Sequence, residues 1–463
     1  MKSSQIDFGD ENVSRSILAA ALPMLLAQLL NLLYNIVDRI YIGRIPGTGP
    51  AALAGVGLCF PVITIITAFS NLFGVGGAPL CAIERGKKNR DGARHILNNA
   101  FFMLMLTSLL LLAGGIIFHK PVLYLFGASD RLYPYASVYM IIYLLGTPAV
   151  MTSLGLNPYI NCQGFAAVGM RTVLLGAVLN IILDPILIFA FHLGVAGAAV
   201  ATVVSQVASA IWVLTFLTGK KAEIRLSLSE LKPDPVCIGR ITLLGTASFV
   251  MQVTDSVTQI ACNSMLQQFG GDLYIGIMTV INSIRQIVQV PVMALSDGAT
   301  PVISYNYGAG DRKKIISCVK ILTGIEVVYT MAAWLLIRLM PGMFIRIFSN
   351  DPQMIAAGVP AVNIFFAGFV MMAFQYCGQT IFKAMGKSGR AIFFSVLRKG
   401  IIVLPLTLIL PGLMGLGTKG VFLAEPISNV IGGAACYLTM YFTLLRPMIK
   451  EAAKEGVNSN GNE

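Results

Sequence analysis

Asp184 and Asn180 stand four residues apart in an otherwise apolar stretch, 168–191, so on a helix they project from one face one turn apart. Asp184 precedes the end of that stretch by about seven residues, and Thr202 follows the start of the next, 195–218, by about seven. All three therefore lie at similar depth, and Asp38, near the outer end of the stretch 16–41, could meet them. An ionisable group inside an apolar span costs about 2.5–3.5 kcal/mol on insertion scales, so each is a functional candidate by default. Two carboxyls with an amide and a hydroxyl oxygen suit either a hard Na⁺ ion or one shared proton, because like charges at close range resist double ionisation. The structural alternative makes Asp38 a helix-end charge neutralised by Arg39 and Asp184 a locally bonded residue before Pro185.

Other polar residues stand in apolar surroundings. Tyr139 and Asn157, eighteen residues apart in 133–161, are five helical turns apart and so share a face of a straight helix. Asp255 and Arg285 lie near mid-depth of 240–268 and 274–303, where an ion pair is expected, either lining a cavity or holding two helices together. Asn31, Tyr34 and Asn35, with Asp255 and Arg285, are the candidate cavity residues. Methionines such as Met278, Met293, Met371 and Met372 could supply an adaptable wall for varied apolar substrates. Pro23 removes a backbone donor inside the first stretch and is expected to kink it.

Composition dictates what holds these residues. Of 463 residues, 56% are hydrophobic and 12% charged, about half the charge a water-facing surface needs. Twelve stretches reach the roughly 20 apolar residues that cross a bilayer: 16–41, 51–83, 93–118, 133–161, 168–191, 195–218, 240–268, 274–303, 314–340, 353–383, 390–411 and 417–445. The first is too long for a signal-peptide core and reads as a retained span. The expected class is an all-α integral membrane protein with twelve transmembrane helices.

The net charge of +12 is sorted by side. With the N-terminus cytoplasmic, 25 Lys and Arg fall in that tail and the even-numbered connections and 7 on the other side, with Arg285 left in a span. By the positive-inside rule both termini are cytoplasmic. Topology then accounts for the basic balance, and nucleic acid is not expected as a partner. The eight cysteines are scattered without a C-x-x-C pair and the three histidines are far apart, so no structural metal site is expected.

The chain repeats itself. Gly76, Pro79, Gly86, Arg90 and Gly164 recur 222 residues on as Gly298, Pro301, Gly308, Arg312 and Gly386. Gly194, Gly197, Ala201, Ser205 and Val207 recur at an offset of 223 as Gly417, Gly420, Ala424, Ser428 and Val430. The offset spans an even number of helices, which gives two six-helix bundles of the same orientation, a parallel repeat about the membrane normal. The polar run Lys220 to Pro235 is the long connection between them. The expected domains are 1–219, a linker 220–239, and 240–463. The repeat also places Glu425 where Thr202 lies in the first half, and Arg398 near Asn180 once a small gap is allowed. A fixed Arg398–Glu425 salt bridge is expected to fill the mirror site.

The run Pro23 to Gly43, ending Asn35-Ile36-Val37-Asp38-Arg39-Ile40-Tyr41-Ile42-Gly43, resembles transporters of the multidrug and toxic compound extrusion (MATE) family. So do Asn71 to Gly76, Asn180 to Pro185, Gly194 to Ala201 and Gly308 to Arg312, in that order along almost the whole chain. The resemblance implies a bacterial plasma-membrane antiporter that expels amphipathic, often cationic compounds, driven by inward H⁺ or Na⁺. It assigns Asp38, Asn180, Asp184 and Thr202 to the cation or proton site, with Tyr139 and Asn157 in the same network, any Na⁺ being held at Asp38 and Asp184. It also makes Pro23 the place where helix 1 would bend. Against the sodium-type pattern, the tenth span carries Gln375, Gln379 and Lys383 without an acid, which puts a second-half cation site in doubt.

No cofactor is expected beyond the coupling ion, and the expected partners are small amphipathic substrates and membrane lipids, with the chain a monomer. A membrane enzyme is disfavoured because no nucleophile, metal cluster or phosphate loop is evident. A channel is disfavoured because no filter-like segment appears. A lipid-linked precursor flippase of related design, or a membrane binding protein that transports nothing, are the alternatives.

Overall fold

The computed structural model describes residues 5–46, 48–126, 128, 130–227, 230–347, 352–413 and 415–452, the side chains at 35, 36, 39, 49–51, 54, 256, 272 and 275 excepted. The described residues contain helices and turns and no strand. In a bilayer a helix satisfies its own backbone polar groups, which is why apolar length translates into helix so directly here.

The first half comprises α1 (Val13–Gly43), α2 (Gly49–Gly57), α3 (Phe60–Gly86), α4 (Arg90–Leu125), α5 (Tyr133–Leu145), α6 (Thr147–Asn161), α7 (Ala166–Pro185) and α8 (Gly194–Thr218). The second comprises α9 (Pro235–Ala309), α10 (Arg312–Leu339), α11 (Pro341–Arg346), α12 (Pro352–Phe365), α13 (Met371–Ala384), α14 (Ser388–Val396), α15 (Leu404–Ile409) and α16 (Thr418–Met440). α9 is two spans joined at Gly271, whose φ of 68° breaks the helical path.

Among the described residues ten helices are long and apolar enough to cross a membrane, and the pair α5 and α6, bent by 57°, makes an eleventh if it is one span. The remaining stretch, 353–383, is built from the two fourteen-residue helices α12 and α13. The described residues are all-α, and the architecture is consistent with twelve spans in two related halves when α12 and α13 together are counted as the twelfth. α1 runs helically through Pro23.

Two compact units emerge, Met1–Asp7 with Leu22–Gly245, and Phe8–Ala21 with Thr246–Glu463. Their limits differ from sequence boundaries at 219 and 240. The first segment of α1 belongs with the second half, and the first segment of α9 belongs with the first half. The exchange follows the repeat: in one unit Gly76 packs against the backbone of Ile241 and Gly245, and in the other Gly298 packs against that of Ala21.

The polar connection is also bound into the first unit rather than standing apart. Three side-chain amide oxygens accept its backbone N–H groups: Gln163 from Ile224 at 2.9 Å, Asn98 from Ser227 at 3.1 Å, and Asn99 from Asp234 at 2.8 Å. Arg85 pairs with Glu223 at 2.5 Å and also donates to the Cys162 carbonyl.

Candidate functional site

In the first unit, α7 ends where Pro185 withdraws a backbone donor, and the chain continues as a wide π turn, Ile186–Ala190. Such widenings recur at functional sites. Asp184, the residue before the proline, has no solvent exposure. α8 comes up against the widened turn because residue 197 is glycine: a Cβ there would meet the Leu187 backbone at 2.7 Å. That approach brings Thr202 to α7.

The resulting geometry is a short polar chain. Asn180 Nδ2 donates to Asp184 Oδ1 and to Thr202 Oγ1, each at 3.3 Å. Asp184 Oδ2 and Asn180 Oδ1 have no hydrogen-bond partner. The Asp38 carboxyl, from α1, lies within side-chain hydrogen-bond reach of Asp184. Neither carboxylate can donate, so a hydrogen bond between them requires a proton held in the pair. Tyr139, buried on α5, is within hydrogen-bond reach of Thr202 and electrostatic reach of Asp38. Its ring stacks on Tyr143, centroids 6.2 Å apart. Five of the six expected coupling residues are thus brought together.

Asn157 is the exception. It donates to the Gly169 carbonyl at 3.1 Å and its own oxygen is unpartnered. The shared face with Tyr139 assumed a straight helix, and the 57° bend at Gly146, between α5 and α6, removes it. Of the expected cavity residues in this unit, Asn31 is exposed and Tyr34 half-buried, close to Tyr143. The side chain of Asn35 lies outside the described residues.

In the second unit a larger ionic group replaces the simple pair. Arg398 Nη1 lies 3.1 Å from Glu425 Oε1 and 2.8 Å from Asn429 Oδ1. Lys399 Nζ lies 3.1 Å from both Glu425 oxygens and 3.0 Å from Asp255 Oδ1. Arg285 Nη1 stands 3.8 Å from Glu425 Oε1. The expected Asp255–Arg285 pair is therefore corrected: Lys399 takes Asp255, and Arg285 faces Glu425. Both consecutive basic residues reach Glu425 because they fall in a second wide turn, Leu397–Val403, after α14. The repeat is visible here too, since a Cβ at Gly420 would meet the Leu410 backbone at 2.7 Å, as one at Gly197 would meet that of Leu187.

Sequence reading passed over Glu326. It is fully buried on α10, accepts from Ser296 Oγ at 2.8 Å, and leaves Oε2 without a partner. The rule that flagged Asp184, an acid deep in an apolar stretch, would have found it. Lys399 falls in the same apolar stretch as Arg398, 390–411, and joins the group that Arg398 and Glu425 were expected to form as a pair.

The MatE family profile matches residues 23–186 and 247–409, once in each half. The multidrug export protein MepA of Staphylococcus haemolyticus is 25% identical over 418 residues, 90% of this chain and 91% of that protein. MepA of Staphylococcus aureus is 25% identical over 444 residues, 95% and 96% of the two chains. A crystal structure of a MATE protein in a bent conformation superposes with a TM-score of 0.91 at 23% identity, covering 98% of this chain and 99% of that one. The likeness to the solved structure establishes the fold, a multi-pass helical membrane protein.

Proposed function

The chain belongs to the MatE family, and on that premise we propose that it exports amphipathic compounds across a membrane, coupling their exit to cation entry at the Asp38–Asp184 pair. The observation that carries the reading is the pair itself: two carboxyls within hydrogen-bond reach, with Asp184 buried among neutral partners. Near neutral pH such a pair holds a proton or a metal cation, because two bare charges in a low-dielectric site repel strongly.

Binding a cation there neutralises the pair and favours closing the site to water. Loss of the cation leaves charge that water must solvate, which favours opening. That difference in hydration biases two conformations, as alternating access requires. Hydrogen-bond separation of the carboxyls favours a proton over Na⁺, which needs oxygens arranged around it. Support for export as the task comes from the full-length similarity to MepA proteins.

The test is fluorescent-dye efflux from vesicles containing the purified protein, with H⁺ and Na⁺ gradients imposed separately. Asp184→Asn should abolish gradient-driven efflux while leaving the protein folded. Gradient-driven efflux that survives this substitution would overturn the site assignment. Failure of the unaltered protein to move any dye under either gradient would overturn the export reading.

A further inference from the structure

Glu326 stands at the middle of α10, roughly 20 Å along the helix axis from either end. No other charged residue lies between Lys320 and Arg338. Its side chain has no solvent exposure, and α9 covers it with Ser296, whose Oγ donates to Glu326 Oε1 at 2.8 Å. Oε2 has no hydrogen-bond partner. An ionised carboxylate offers about four lone-pair sites, and a single donor serves this one. A bare charge so thinly solvated inside a membrane is costly, whereas the neutral acid is not.

Among the described residues no element packed against α10 brings Glu326 a counter-charge. On α9, Asp297 follows Ser296 but is exposed and within electrostatic reach of Lys383 on α13, and Arg285, about three turns earlier, is turned to Glu425. α13 also brings the Cys377 thiol within electrostatic reach of Glu326. α12 carries no ionisable residue, and α11 has only Arg346, which is exposed. On α10 itself, Tyr329 donates to the Val288 carbonyl at 3.1 Å and Thr330 to the backbone carbonyl of Glu326 at 2.8 Å. Tyr437 of α16 faces Thr323 at 3.5 Å. A hard metal cation needs several oxygens arranged around it, whereas one free carboxylate oxygen is enough for a proton.

We propose that Glu326 is a second proton-binding site, contained in the second unit and separate from the Asp38–Asp184 pair. The hydrogen bond from Ser296 makes Oε1 the carbonyl oxygen and leaves the proton to Oε2. The proton is held while α9, α10 and α13 stay closed around it. It leaves to water when they part, because hydration then stabilises the carboxylate. The site does not rest on the export reading, since proton binding is measured without transport.

Infrared difference spectroscopy of the full-length protein in lipid bilayers, with the glutamate carboxyl carbons isotope-labelled, tests it. At neutral pH a carboxylic-acid C=O band should be present, shift with the glutamate label, vanish in Glu326→Gln and persist in Asp184→Asn. Ser296→Ala should move the band to higher frequency without removing it, because the carbonyl oxygen loses its hydrogen bond; this identifies the band even if Glu326→Gln does not fold. Raising the pH should abolish the band reversibly while circular dichroism shows the helices retained, and adding Na⁺ at constant pH should leave it unchanged. Four results overturn the proposal: no glutamate acid band at neutral pH, a band indifferent to both Glu326→Gln and Ser296→Ala, a band that persists with rising pH until the helices unfold, or one that Na⁺ removes. The band without gradient-driven dye efflux would sink the export reading and leave this site standing; efflux without the band would do the reverse.

Discussion

Lys399 is the residue on which the second unit's charges depend, because among the described residues it alone forms ion pairs with both Asp255 and Glu425. Removing Lys399 leaves Asp255 without its ion-pair partner among the described residues, at a cost of up to roughly 3–5 kcal/mol, reduced because the Asp255 side chain is 40% exposed. Lys399→Met should therefore lower the thermal unfolding midpoint in detergent markedly, and adding Asp255→Asn should restore much of the loss. If the single variant is as stable as the parent, the bridging role is wrong. Asp184 differs in kind: its hydrogen-bonded neighbours Asn180 and, through it, Thr202 are neutral, and among the described residues no cation forms an ion pair with it. Equivalent places in the two halves hold an ionic cluster in one and the proposed coupling site in the other.

At the scale of elements, glycine and proline decide where polar side chains meet. Pro185 sets the wide turn after Asp184, and Gly197 lets α8 approach it. Gly420 does the same against Leu410 in the second half. A methyl group at either position collides with backbone, so Gly197→Ala and Gly420→Ala should each cost about 1–3 kcal/mol. Gly197→Ala should in addition weaken gradient-driven efflux by moving Thr202 from Asn180, whereas Gly420→Ala should alter stability with little effect on coupling. Thermal unfolding and vesicle efflux on the two variants separate these outcomes. The hydrophobic pattern announced nearly every span, because hydropathy is a local property. It did not announce the bend at Gly146, where a single residue between two apolar helices turned an expected face into two.

Across the whole molecule the polar connection acts as a strap on the first unit. Near its end the Asp234 carboxyl is held below the usual carboxylate range, chiefly by its hydrogen bond with His95 and then by the Val236 N–H. A lowered value means the stabilisation is complete above the ordinary range, near pH 4, and is lost as pH falls through the lower folded value. Hydrogen exchange of the 222–238 amides, corrected for intrinsic rate, should stay constant from neutral pH to about pH 4 and rise below it. A rise well above that range would show that Asp234 does not govern the anchor.

The amino-acid sequence by itself determined the solvent, the number of spans and the duplication, since each follows from composition, apolar length or a constant offset along the chain. It also brought Asp38, Asn180, Asp184 and Thr202 to one depth, because helical rise converts sequence position into height. The repeat offset already set Arg398 against Glu425, and they meet at 3.1 Å. Tertiary structure alone decided that Lys399, and not Arg285, takes Asp255, because position along the chain does not rank those two cations. Packing does, through the wide turn at Leu397–Val403 that delivers two consecutive cations to one carboxylate. The same holds for the exchange of first segments between the halves, because a helix that begins in one unit and continues in the other has the same hydropathy as one that does not.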